Sequence, residues 1–275
     1  MNSKTRTDRI LNILLIVFTI GLIGCGVAVF LWQKDSRDED NKLKKLKEEI
    51  VIETDSKVSD DEENKKLVGS ETEYCTIDGK KIQKKLKSLY EQNSDFIGWI
   101  TQEDSSIDYP VMQTKDDGEY YLHRGFDKQY SEAGCIFVDK TCDISRPSEN
   151  IILYGHHMIY DSMFSSLINY DSEEYYQGHK IIEFDTLEGN GTYEVIAAFR
   201  TSIPSDEDED AFRFYNYTDM NKERYDEYIK NCKALTPYEI PLTAEYGDRL
   251  VTLATCAYHD KKGRFVVVAK QINNQ

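Results

Sequence analysis

No two of the six cysteines, Cys25, Cys75, Cys135, Cys142, Cys232 and Cys256, form a CxxC pair, and none joins a histidine at zinc-ligand spacing. A zinc module is excluded on that ground, and most of these thiols are expected to be small buried apolar groups. A disulfide between Cys135 and Cys142 is conceivable outside the cytoplasm, provided the geometry allows it. Positive charge is also scarce: 34 Lys and Arg face 50 Asp and Glu, a net charge of −16 over 275 residues. A nucleic-acid binder needs a basic stripe to meet phosphates, and this chain has none. The sequence contains no internal repeat. What it has in quantity is tyrosine, 19 residues, which suits a β-rich domain because aromatic rings fit a half-buried pleated surface.

Ile13 to Trp32 is an uncharged run of 20 residues, broken in apolar character only by Thr19, Cys25 and three glycines. At about 1.5 Å per residue it spans about 30 Å, the hydrocarbon thickness of a bilayer. Lys4, Arg6 and Arg9 precede it, and Asp35, Asp38, Glu39 and Asp40 follow. By the positive-inside rule this predicts a cytoplasmic tail at residues 1–9, a single-pass signal anchor at 10–32 and an extracellular remainder. The basic cluster Lys42, Lys44, Lys45 and Lys47 weakens the asymmetry. Two other readings compete: a cleaved signal peptide, and a lipoprotein site at Leu22-Ile23-Gly24-Cys25. The run is longer than a usual h-region and ends in no small-x-small site, which argues against the first. The apolar stretch Gly26–Trp32 continues past the cysteine, which argues against the second.

Residues 33–75 are rich in Lys, Asp, Glu and Ser, bury little, and read as a stalk, helical around Leu43–Ile50. The folded domain is expected over residues 76–275. Ile82, Leu86 and Leu89 recur at helical spacing within Lys80–Asn93. Then come eight β-like runs: Phe96–Thr101, Ser106–Met112, Gly134–Asp139, Asn150–Gly155, Lys180–Thr186, Gly191–Thr201, Asp248–Thr255 and Arg264–Ile272. Their pattern predicts a barrel or a sandwich. Helices are predicted at Ser162–Tyr170 and Asn221–Leu235, and the acidic run Ser205–Asp210 reads as a solvated loop.

Cys256 closes the run Leu250-Val251-Thr252-Leu253-Ala254-Thr255-Cys256, where a strand end presents its side chain at the rim of a sheet. A thiol needs a neighbouring cation or imidazole to react as a thiolate. Arg264 heads the next run, and a turn through Gly263 brings it back toward Cys256, where a guanidinium can stabilise a developing oxyanion. A proton carrier is the remaining need. Tyr154-Gly155-His156-His157 follows another strand, so His156 and His157 are candidates, and so is His259 beside the cysteine. The chemistry alone does not choose among them.

Thr252-Leu253-Ala254-Thr255-Cys256 resembles the TLxTC signature of sortases, Tyr154-Gly155-His156 resembles their histidine segment, and Arg264 resembles their essential arginine. Phe96-Ile97-Gly98-Trp99-Ile100, Ile107-Asp108-Tyr109-Pro110-Val111-Met112-Gln113, Tyr120-Tyr121-Leu122 and the Gly134–Asp139 run are similar to class B sortases, and the likeness covers about Ile82 to Lys270. The resemblance implies an eight-stranded β-barrel with N-terminal helices and a helix inserted before the cysteine strand. It implies a cysteine transpeptidase in which Cys256 attacks the Thr carbonyl of a C-terminal sorting motif to form a thioester. His156 is then the acid–base group and Arg264 the oxyanion or substrate-positioning group. Tyr154, Leu122 and Thr255 are implied to line the substrate groove. The implied partners are sorting-motif surface proteins and a peptidoglycan amine, with no metal or organic cofactor. The sequence departs from the class pattern at Ala254, where Ser is common, at Ala257, where an acidic residue is common, and in a short turn from Cys256 to Arg264. The competing functions are a cell-wall cysteine hydrolase and a non-catalytic membrane-tethered binding domain.

Overall fold

The computed structural model describes residues 4–55, 72–144, 148–158, 160–257 and 262–272; within the first helix, side chains at 4–13, 28, 31–38, 40 and 51–55 fall outside the description. His259 and residues 56–71 of the expected stalk also lie outside the described residues. The chain forms two units, residues 1–51 and 52–275. The described residues of the first all lie in one continuous helix, α1 (Lys4–Asp55), whose last four residues fall in the second. From Leu14 to Phe30 its described large apolar side chains are exposed, Phe18 by 67%. Among the described residues no helix is long and apolar enough to cross a membrane, and Ile13, Ala28, Leu31 and Trp32 of the apolar run have side chains outside that count.

The second unit opens with a hairpin, β1 (Tyr74–Ile77) and β2 (Lys80–Gln83), followed by a 3-10 turn at Lys84–Leu86 and a short helix, α2 (Lys87–Gln92). This corrects the single helix expected over Lys80–Asn93. The cause is Asp78-Gly79, which both take positive φ (50° and 78°) and close a tight hairpin of the Asp-Gly kind. Ile82 is buried all the same, as a strand residue.

The eight predicted strands all form, with no end shifted by more than two residues: β3 (Phe96–Thr101), β4 (Asp108–Met112), β5 (Ile136–Val138), β6 (Asn150–Tyr154), β7 (Ile181–Thr186), β8 (Thr192–Ser202), β9 (Leu250–Cys256) and β10 (Gly263–Gln271). They close into a barrel in the order β10-β8-β7-β3-β4-β5-β6-β9, with β9 pairing back onto β10. Closure removes every open edge. The pairs β4·β5 and β6·β9 are parallel and the rest antiparallel. Parallel neighbours need long crossovers, and the chain between β6 and β9 supplies one that includes β7, β8 and two helices. The helix expected at Ser162–Tyr170 is a 3-10 segment at Ser165–Asp171, followed by α3 (Glu173–Gly178). The inserted helix α4 (Lys222–Leu235) is N-capped by Asn221, whose side chain accepts from the Arg224 N–H.

Cys135, Cys142 and Cys232 are buried free thiols, so no disulfide joins Cys135 to Cys142. Burial pushes the Cys142 thiol up to about 12 and raises Cys232 as well, which leaves both inert as nucleophiles.

α4 is tied to β9 by a buried polar chain. Asn150 Nδ2 donates to the Tyr217 carbonyl at 2.8 Å, which turns its oxygen toward Thr252; the Thr252 hydroxyl donates to that oxygen at 2.8 Å. The Thr252 proton is thereby spent, so the Tyr228 hydroxyl, 2.7 Å away, donates to Thr252. Every member is satisfied, which is the condition for a buried polar network to be tolerated. Thr252→Val keeps the shape of the side chain and strands the Tyr228 hydroxyl and the Asn150 oxygen together. The expected loss is ~2–4 kcal/mol in urea unfolding; a loss below ~0.5 kcal/mol would show that the chain carries no stability.

Candidate active site

Three strand ends meet at one rim of the barrel. In the β6·β9 pair Tyr154 lies beside Ala254, and the Gly155 N–H donates to the Ala254 carbonyl at 3.2 Å. In the β9·β10 pair Arg264 lies directly opposite Cys256, and the Ala257 N–H donates to the Gly263 carbonyl at 3.0 Å to continue the ladder. Side chains alternate along a strand and agree across a register. Tyr154, Ala254, Cys256 and Arg264 therefore point from one face of the sheet. His156 and His157 stand two and three residues beyond Tyr154, beside the cysteine end of β9.

Thr255 belongs to the opposite face. It is 2% exposed, and its hydroxyl donates to the Gly155 carbonyl at 2.8 Å. This corrects the expectation that Thr255 lines the groove: it locks the end of β9 to the turn that carries the histidines. Tyr154 is half-buried, and its hydroxyl donates to Asp139 at 3.0 Å. Its acidity is suppressed, chiefly by burial and then by the Asp139 charge, while the Arg264 guanidinium works in the other direction. Arg264 itself is half-buried, and among the described residues its side chain makes one hydrogen bond, to the Gly263 carbonyl at 2.9 Å. Among the described residues the rest of its donor fork meets no acceptor, and such a fork suits an anionic or carbonyl oxygen.

The two histidines do different things. A carbonyl oxygen only accepts, so a ring nitrogen facing one must carry the proton. His156 Nε2 donates to the Leu122 carbonyl at 2.8 Å, which in the neutral ring leaves the lone pair on Nδ1. His157 Nδ1 donates to the carbonyl of Cys256 at 3.1 Å and so steadies the backbone of the thiol-bearing residue. His156 is half-buried, and its proton affinity is held below the ordinary 6.5. Burial is the main cause; the Leu122 carbonyl opposes it, His123 reinforces it, and Glu132 opposes it more weakly.

The histidine loop is held under strain. Asp161 and Met163 take positive φ (51° and 57°), and the Met163 N–H donates to the Tyr109 hydroxyl at 2.9 Å. The Phe164 N–H donates to the His156 carbonyl at 3.0 Å, and Ser165 bonds both backbone groups of Met158. Gly155 is required by space: a Cβ there would sit 2.4 Å from Ile136 and 2.7 Å from the Phe164 ring.

Leu122 enters the site through its backbone, and its side chain is half-buried. Two residues that sequence reasoning passed over also belong here. His123 stacks on His156, and Asp139 holds Tyr154. The sequence signal for His123 was its place directly after Tyr120-Tyr121-Leu122; nothing local marked Asp139.

The family model described as the sortase domain matches residues 100–272, from the end of β3 to the last residue described. Sortase B of Staphylococcus aureus is 33% identical over 194 residues, covering 70% of this chain and 76% of that protein. A Staphylococcus aureus sortase B–substrate complex superposes with a TM-score of 0.70 at 26% identity, covering 88% of this chain and all of that one. Sortase B of Clostridium perfringens superposes at 0.61 with 31% identity, covering 68% of this chain and 99% of that one. Barrel order, a cysteine facing an arginine across the last two strands, and relatives matched in both sequence and fold lead to the same assignment: the chain belongs to the sortase family of cysteine transpeptidases, among relatives of class B.

Proposed function

We propose that the protein cleaves a C-terminal sorting motif after Thr, holds the acyl group as a thioester on Cys256, and passes it to a peptidoglycan amine. The observation that carries this reading is the register Cys256↔Arg264 beside the parallel pair Tyr154↔Ala254, which gathers thiol, guanidinium and imidazole segments at one rim. In this reading His156 Nδ1 takes the Cys256 proton and the thiolate adds to the Thr carbonyl carbon. The electron pair moves to the carbonyl oxygen, opposite the Arg264 donors. Collapse of that intermediate breaks the C–N bond, and the departing amine takes its proton from His156. The incoming amine then attacks the thioester, gives a proton back to His156, and releases the thiolate.

The choice of His156 over His157 has a physical support. His157 commits Nδ1 to the Cys256 carbonyl, whereas His156 has its Nε2 proton parked on Leu122 and Nδ1 uncommitted there. The groove-lining roles of Tyr154 and Leu122 belong to the same proposal. So does the domain division: a cytoplasmic tail at 1–9, a membrane anchor at 10–32, a stalk at 33–75 and an extracellular catalytic domain at 76–275. The support for the anchor is the charge step around the Ile13–Trp32 run and the row of exposed apolar side chains on α1.

Incubation with a fluorogenic library of Thr-containing peptides, with and without hydroxylamine, tests the reaction. Amine-dependent product and a Cys256-linked acyl adduct in the mass spectrum are expected, with the adduct absent from Cys256→Ala. Rates in His156→Ala and Arg264→Ala should fall by about 10²-fold or more. Product that forms by hydrolysis alone under every condition would point to a cysteine hydrolase. The pH profile carries a sign. Because the His156 proton affinity is lowered, the ring is a neutral base above 6.5. Its activity should therefore be lost only as pH falls through a value below 6.5, and an acid limb centred above 6.5 would contradict this role. Protease added to intact cells should remove residues 76–275 while sparing the tail; protection of that domain would reverse the topology.

A further inference from the structure

The segment Tyr120–His123, a single 3-10 turn, grips His156 twice. The Leu122 carbonyl accepts a hydrogen bond from Nε2–H at 2.8 Å. The ring of the next residue, His123, lies over the His156 ring, with centroids 5.2 Å apart and planes 28° apart. Two consecutive residues thus hold an edge and a face of one imidazole.

The turn is itself well fixed. Tyr121 is buried, and its hydroxyl donates to Asp95 at 2.9 Å and accepts from Asn93 at 2.8 Å. The Tyr121 carbonyl accepts from the Cys135 N–H at 3.0 Å. Gly134 lets the two segments close: at φ +62° a Cβ would fall 2.4 Å from the Leu122 oxygen and 2.5 Å from that of Tyr121. The His123 side chain is exposed, so its own burial does not account for the stack.

We propose that His123 is a positioning residue for the acid–base histidine, its ring setting the plane of the His156 imidazole so that Nδ1 addresses the reacting thiol. The inference rests on the assignment of His156 as the acid–base group. A χ2 rotation is soft, and one hydrogen bond at Nε2 leaves the ring free to swing about that contact. A second ring laid against the face removes this freedom, and a preorganised proton carrier loses less entropy in the reaction. The stack also carries charge. A proton on His123 places like charge against His156, while Glu132 and the Leu122 carbonyl favour the cationic ring. Charged groups near this turn among the described residues include Arg124, which donates to the Tyr120 carbonyl at 3.1 Å, Arg264 on β10 and Asp139 behind Tyr154.

The test compares His123→Ala and His123→Phe in the full-length protein, using the best peptide from the library with hydroxylamine as acceptor. In His123→Ala kcat should fall several-fold with KM unchanged, and the NMR titration midpoint of His156 should rise. His123→Phe keeps a ring on the face but not the charge, so it should recover most of kcat while the midpoint stays raised. Wild-type kcat and midpoint in His123→Ala would overturn the proposal. So would equal loss in both variants accompanied by a rise in KM, the mark of a merely structural role. His156→Ala separates the two levels: if it remains active the acid–base assignment has failed, whereas if it is inactive and His123→Ala is unaffected, only the positioning role has failed.

Discussion

The parallel pairing of β6 with β9 is the contact on which the site depends. Asn150 through Tyr154 run beside Leu250 through Ala254, joining segments about a hundred residues apart. Nothing local brings them together, because parallel neighbours cannot be linked by a tight turn. The pairing is held at one end by the Asn150–Thr252–Tyr228 chain and at the other by the Thr255 hydroxyl on the Gly155 carbonyl. Between these polar clamps the strands are apolar and buried. A one-residue slip would carry Cys256 to the core side and Thr255 to the rim. The side-chain hydrogen bonds are specific to one register, so they forbid the slip in a way that apolar packing alone does not.

The same register explains why one thiol is suited to chemistry and others are not. Cys142 and Cys232 sit where burial favours the neutral thiol. Cys256 is the last residue of its strand, half-buried, with an arginine across the ladder and a histidine bonded to its carbonyl. Its distinction comes from where the strand stops. Ala254 and Ala257, the departures from the class pattern, are both buried beside it, at 1% and 2% exposure. They alter the packing under the cysteine more than the polar groups around it.

Much of this was legible in the sequence. Strand periodicity found all eight barrel strands, because each is bounded by turn residues and carries apolar side chains at the right spacing. Strand order was not legible from pattern, since period-2 alternation says which face is buried and not which neighbour is paired. The Lys80–Asn93 segment misled because Ile82, Leu86 and Leu89 satisfy helical spacing whether Ile82 lies on a helix or on a strand leading into one. Asp78-Gly79 was the decisive signal, and it lies just outside the periodic window. Thr255 was misjudged by adjacency: being next to the nucleophile in sequence puts a strand residue on the opposite face. His123 and His156 are 33 positions apart, and their stack depends on a turn closed by a glycine. No pairwise sequence signal encodes that.

The adjacent histidines differ in the tautomer that their hydrogen bonds select. An imidazole with one nitrogen donating to a carbonyl keeps a defined lone pair on the other. His156 and His157 each meet a carbonyl, but through different nitrogens and on different segments. His157 ties itself through Nδ1–H to the backbone of Cys256, which leaves no lone pair at that nitrogen. His156 ties itself through Nε2–H to a separate turn, so in the proposed reaction a proton exchanged at Nδ1 leaves its anchor intact. An anchored ring that exchanges one proton at a fixed nitrogen is what a two-step acyl transfer needs, because the same atom must serve as acid in the first half and as base in the second.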